Sequence, residues 1–198
     1  ASCELHLPLL GTHQCENAAI ALAAIEALDK GVGPDAITQG ISNVEWPGRF
    51  QLLSTTPYLV VDGAHNPYSI IKLCETVRQY FPNRKITVVF GCGAEKDLHG
   101  MVSPLAQLAT RVIVCSSRHP KTVPVATLSE AFTRTGIANE TTPNIATAID
   151  EIRACKNSDE LFLITGSLFV VAEALESWYG LTAERYPELE ASGPDEIY

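Results

Sequence analysis

From Phe50 onward the chain alternates short, nearly uninterrupted apolar runs with longer helical patterns, and this alternation narrows the possible folds more than any other feature. The runs lie at 50–53, 58–61, 86–90, 111–115 and 161–164, with a weaker candidate strand at 137–141. Runs that lack polar alternation belong to strands covered on both faces. Helical patterns fill the intervals at 67–80, 98–109, 125–134, 143–155 and 168–178. Regular βα alternation predicts an α/β fold: a Rossmann-like, doubly wound, mostly parallel sheet with helices on both sides. Ligands of such sheets bind in the crevice at the carboxyl ends of the strands.

The opening segment reads differently. Residues 4–9 form a candidate short strand, and Gly11-Thr-His-Gln14 leads into an alanine-rich helix over Asn17–Leu28 that stops near Gly31 and Gly33. Pro34 opens a second, shorter helix to about Ile41, and the Trp46-Pro47-Gly48 turn closes the segment. A strand and two helices without a sheet of their own point to the later part of a longer protein. The expected division is residues 1–48 as the end of a preceding domain, 49–182 as the α/β domain, and 183–198, acidic and interrupted by Pro187, Gly193 and Pro194, as a loose tail.

Composition removes several classes of function. A chain of 198 residues with 46% hydrophobic content can bury a substantial core. The net charge of −9 and the lack of a Lys/Arg cluster argue against a nucleic-acid surface. No apolar run approaches the roughly 20 residues that span a bilayer, and the first residues lack a signal-peptide pattern, so the expected location is cytoplasmic. The six cysteines show no Cys-x-x-Cys pairing and mostly sit in apolar segments, which reads as reduced core thiols. The five histidines are scattered, so no metal cluster is visible.

Polar residues gather where strands end. Tyr58-Leu-Val-Val61 runs into Asp62-Gly-Ala-His65-Asn66-Pro67. Helix capping accounts for Asn66 and Pro67. It does not account for Asp62, a carboxylate suited to ribose hydroxyls or metal-bound water, or for His65, an imidazole suited to an anion. Trp46-Pro-Gly-Arg49 holds a guanidinium on a stiff turn, either solvated or as a forked donor to phosphate oxygens. Asn17 is either a surface amide or a base reader. Gly91-Cys-Gly93 follows a strand as in dinucleotide-binding turns, but Lys96 stands where the third glycine belongs. Lys96 and Asp97 read as lining the same crevice. Thr165-Gly166-Ser167 precedes a helix, where Ser167 either caps it or helps to bind an anion. Ser116-Ser-Arg118-His119-Pro-Lys121 brings cations to that edge, and no Gly-x-x-Gly-Lys-[Ser/Thr] phosphate loop occurs in the chain.

Taken in order, Gly11-Thr-His-Gln-Cys-Glu-Asn-Ala-Ala, Trp46-Pro-Gly-Arg, Asp62-Gly-Ala-His-Asn-Pro, Glu95-Lys-Asp and Thr165-Gly-Ser-Leu resemble the C-terminal part of the folylpolyglutamate synthase/dihydrofolate synthase family of Mur ligases, over about residues 4–180. The resemblance implies that residues 1–48 end a central ATP-binding domain, which carries the phosphate loop, the Mg2+ ligands and a carbamylated lysine. Residues 49–182 would then be the glutamate ligase domain. It implies ATP and Mg2+ as cofactors, and L-glutamate with folate or dihydropteroate as substrates. The product is an amide formed through an acyl phosphate. By resemblance Asn17 contacts adenine, Arg49 the terminal phosphates and Asp62 the nucleotide. His65 and Ser167 meet the amino acid or the acyl phosphate, with Lys96 and Arg118 on the same rim. The implied protein is a monomer, and the chain without its ATPase domain is inactive.

Glu95 departs from the family's usual aspartate, and Val171-Ala-Glu173 replaces a frequent glycine before the glutamate. Three other readings stay open on the residues alone: a free-standing Rossmann-like module for a nucleotide or glutamate, the corresponding domain of a peptidoglycan-precursor ligase, and a dinucleotide oxidoreductase domain.

Overall fold

A computed structural model describes residues 5–28, 31–157 and 159–184. The helices α1 (Thr12–Leu28) and α2 (Pro34–Ser42) come first, followed by the hairpin β1 (Gln51–Thr55) and β2 (Tyr58–Val61). Then follow α3 (Pro67–Tyr80), β3 (Lys85–Phe90), α4 (Leu98–Leu108), β4 (Arg111–Val114), α5 (Val125–Thr133), β5 (Asn139–Thr141), α6 (Ile145–Ala154), β6 (Glu160–Thr165) and α7 (Leu168–Tyr179). The sheet order is β1-β2-β6-β3-β4-β5. The β1–β2 pair is antiparallel and every other pair is parallel. The final strand thus returns to the middle of the sheet, between β2 and β3, and brings the carboxyl ends of all three side by side.

Alternate strand residues divide the core into two layers. Val60, Val88, Phe90, Val112 and Leu163 pack under α3, α4 and α5, with Phe90 edge-on to Phe132 at a centroid distance of 5.4 Å. Leu59, Val61, Val89, Ile113 and Ile164 pack on the other side under α6 and α7. Each fully buried side chain of this kind contributes about 1.5–3 kcal/mol, so the two-sided burial inferred from unbroken apolar runs is what holds the sheet. Cys74, Cys92 and Cys115 are buried in these layers. Burial pushes the Cys74 thiol up to about 11 and the Cys92 thiol up to about 12.

The opening segment departs from expectation. Residues 5–10 form no strand, and Pro8 lacks the N–H that a ladder would need there. Helix α1 begins at Thr12, ahead of the predicted Asn17, and of its residues only Gln14 is buried; Ile20 is 68% exposed and Leu28 64%. Among the cysteines, Cys15 is exposed and Cys155 half-buried, so neither is a core thiol, while Cys3 and most of the expected tail lie outside the described residues.

Candidate functional site

The turn after β2 is tied down at nearly every atom that can bond. Asp62 N–H donates to Ile164 O at 3.0 Å and Gly63 N–H to Gly48 O at 2.8 Å. The buried Asp62 carboxylate accepts Ala64 N–H through Oδ1 and Phe50 N–H through Oδ2, each at 2.8 Å. Burial raises its pKa; those two hydrogen bonds, the Arg49 charge and His13 oppose the rise without cancelling it. Asn66 and Ser69 form a reciprocal capping box at the start of α3. On the other side Gly166 N–H donates to Ala64 O at 3.0 Å, which fastens the turn to the end of β6. Close approach is possible there because Gly166 has φ +105° and a Cβ would meet Gly91 O at 2.6 Å.

Two cavities open on either side of this turn. The first, about 450 Å3, lies against the opening segment and is lined by His13, Asn17, Trp46, Arg49 and Asp62 among others. Arg49 sits 5.4 Å from the Trp46 ring centroid, and Asn17 donates to Gln14 Oε1 at 3.1 Å. The second, about 340 Å3, lies over the ends of β3, β4 and β6 and is lined by His65, Lys96, His119, Lys121, Ser167 and Phe169 among others. The sequence-derived candidates therefore separate cleanly. Asn17, Arg49 and Asp62 share one cavity; His65, Lys96 and Ser167 share the other.

Within the second cavity the hydrogen bonds fix the chemistry of individual groups. His65 Nδ1 lies 2.8 Å from Gly63 O, which can only accept, so Nδ1 carries a proton and neutral His65 has Nε2 as its acceptor. Ser167 caps α7 by accepting Phe169 N–H at 3.2 Å, as the capping reading expected, and it lines the cavity as well. His119 stacks on Phe169 at 4.0 Å, a pairing no local pattern announced, because the two rings are far apart in sequence.

Two expectations are corrected. Asp97 does not line the crevice; its Oδ1 accepts Gly100 N–H at 2.9 Å as the cap of α4. Arg118 is not on the rim either. Its guanidinium turns to α7, where Glu176 accepts at 2.6 Å, while its N–H donates to the buried Glu173 at 2.7 Å.

The family model for the Mur ligase, glutamate ligase domain matches residues 48–168. The chain belongs to this family. The domain is 36% identical over 176 residues to a Haloferax volcanii protein named "Probable bifunctional folylpolyglutamate synthase/dihydropteroate synthase", covering 88% of this chain and 21% of that one. It is 32% identical over 175 residues to the Bacillus subtilis dihydrofolate synthase/folylpolyglutamate synthase, covering 86% and 40%. The solved Mycobacterium tuberculosis folylpolyglutamate synthase complexed with ADP and AMPPCP superposes with a TM-score of 0.79 at 30% identity, covering 91% of this chain and 43% of that one. The domain thus spans less than half the length of these relatives. The expected Rossmann-like architecture agrees with this likeness.

Proposed function

We propose that this chain is the glutamate-binding half of an ATP-dependent amide ligase that joins L-glutamate to dihydropteroate, to folate, or to both. One observation carries the reading. A single rigid turn gives Asp62 to one cavity and His65 to the next, so nucleotide and amino acid would be held on two sides of the same element. The relatives' names supply the substrate class, and a relative bound to ADP and AMPPCP supports ATP.

The acceptor carboxylate attacks the terminal phosphorus of ATP, the bond to the bridging oxygen breaks, and ADP leaves. The amine of L-glutamate then attacks the acyl carbon and phosphate departs. Arg49 offsets charge during the first step, where a positioned cation lowers the barrier. Asn17 faces the base and Asp62 the nucleotide. His65 Nε2 accepts the proton lost by the amine, and Ser167 and Lys96 orient the amino acid. Mg2+ would screen the phosphates. Its ligands would lie on an ATPase domain that residues 1–48 would end; among the described residues no three His, Cys, Asp or Glu side chains converge on a site that could hold it. Residues 49–182 would be the ligase domain, in a cytoplasmic, monomeric enzyme; among the described residues no helix is long and apolar enough to cross a membrane.

The test is ATP-dependent incorporation of labelled L-glutamate by the full-length protein, with dihydropteroate and tetrahydrofolate offered separately. Incorporation into at least one acceptor is expected, and none from the 198-residue chain alone. Failure with both acceptors overturns the reading.

A further inference from the structure

The lysines and arginines among the residues lining the second cavity are Lys96 and Lys121. An acidic amino acid brings two carboxylates, and Lys96 is a single cation. Arg118, which the sequence offered as another, is committed to α7. Lys121 is different because its backbone is fixed while its ammonium is only lightly held. Ala94 N–H donates to Lys121 O and Val123 N–H to Cys92 O, each at 2.9 Å, and Gly93 forms an isolated bridge with Thr122. Lys121 N–H also donates to His119 Nδ1 at 3.2 Å, and that imidazole is stacked on Phe169 at the start of α7. The loop carrying Lys121 is thus pinned to the turn after β3 and to the helix beyond β6.

The Lys121 ammonium lies 3.7 Å from Glu95, with side chains 62% and 77% exposed. An ion pair this long and this wet contributes little to stability and costs little to break. Glu95 lines the same cavity, so it sets a carboxylate against Lys121 where a ligand's carboxylate would compete for it.

We propose that Lys121 is a specificity-determining residue that binds one carboxylate of the amino acid in the second cavity, with Glu95 as the placeholder the ligand displaces. This rests on the ligase reading and goes beyond it by naming the group that distinguishes an acidic amino acid from a neutral one. The two partners must then act in opposite directions, which a merely structural ion pair would not do.

In the full-length enzyme, Lys121→Ala should raise KM for L-glutamate about tenfold, the low end for losing a charge-assisted contact, with KM for ATP unchanged. It should also reduce the preference for L-glutamate over L-glutamine. Glu95→Gln should lower KM for L-glutamate. Titration of wild-type and variant proteins with L-glutamate, followed by NMR of the lysine Nζ groups, gives a readout independent of turnover. If wild type binds or incorporates L-glutamate and Lys121→Ala matches it, or if Glu95→Gln raises KM, the inference is overturned while the ligase reading stands. If wild type neither binds nor incorporates L-glutamate, both are overturned.

Discussion

Asp62 Oδ2 accepts the Phe50 N–H at 2.8 Å, and Phe50 is one of two non-glycine residues at positive φ among the described residues, at +41°. The carboxylate therefore holds a conformation that a bulky side chain disfavours. It joins the Arg49 turn to the end of β2 while facing the first cavity. Positioning the arginine and lining the pocket are duties of one side chain.

This clamp has a defined pH signature. The folded state holds the Asp62 proton more tightly than the unfolded chain does, because burial raises its pKa above the ordinary 3.8. As pH climbs from that value through the folded one, stability contributed by this group falls. Asp62→Asn places an amide N–H2 where an acceptor is needed and should cost about 1–3 kcal/mol at pH 7. Denaturant unfolding should show the gap between wild type and variant narrowing as pH rises from about 4 to 7. A gap that widens would mean that the hydrogen bonds, not burial, dominate.

On the proposed ligase reading, the two cavities predict separable kinetics in the full-length protein. Arg49→Ala should raise KM for ATP by about ten- to a hundredfold, the range for a charge-assisted phosphate contact, and leave KM for L-glutamate within about twofold. His65→Ala should mainly lower kcat and raise KM for L-glutamate. Initial rates with each substrate varied in turn decide the matter, and equal effects on both substrates from either variant would contradict the assignment.

The sheet was legible because each core strand is buried on both faces, which leaves an unbroken apolar run such as Leu161 to Ile164. Candidate site residues were legible where polar groups directly follow a buried strand, as at Asp62 and His65, which line the two cavities. Two kinds of information were not. Arg118 and Asp97 stand beside true lining residues, and only the direction of their side chains, to Glu176 and to Gly100, removes them from the crevice. His119 and Phe169 meet only because β6 returns to the middle of the sheet and starts α7 there. The strand expected at residues 4–9 does not form over the described residues 5–10, where Pro8 has no N–H to give a ladder.

Backbone approach at the crevice floor is close enough to forbid one methyl group. Gly166→Ala would place Cβ 2.6 Å from Gly91 O while holding φ at +105°. Strain and overlap together should cost about 2–4 kcal/mol. For a domain of this size that lowers Tm by about 5–15 °C. Calorimetry of the variant checks it, and an unchanged Tm would mean that the β6–α7 turn can shift without loss.

Arg118 offers a further test, now of stability and not of binding. Glu173 is buried, with 3% of its side chain exposed, and it accepts the Arg118 N–H while the Arg118 Nε lies 3.9 Å away. Although burial pushes the Glu176 pKa up, its hydrogen bond from Arg118, the Glu184 N–H and the Arg118 charge hold it below the usual 4.5. A lowered folded pKa gives stability that is present above the unfolded value and is lost as pH falls through the folded one. Arg118→Ala should therefore destabilise the domain by about 1–3 kcal/mol at pH 7, since Glu173 loses a neighbouring charge in a buried setting. It should also flatten the acid limb of the stability curve below pH 4.5. Parallel urea titrations of wild type and variant from pH 3 to 7 measure both effects, and curves that stay a constant distance apart would rule out Glu176 as the titrating partner.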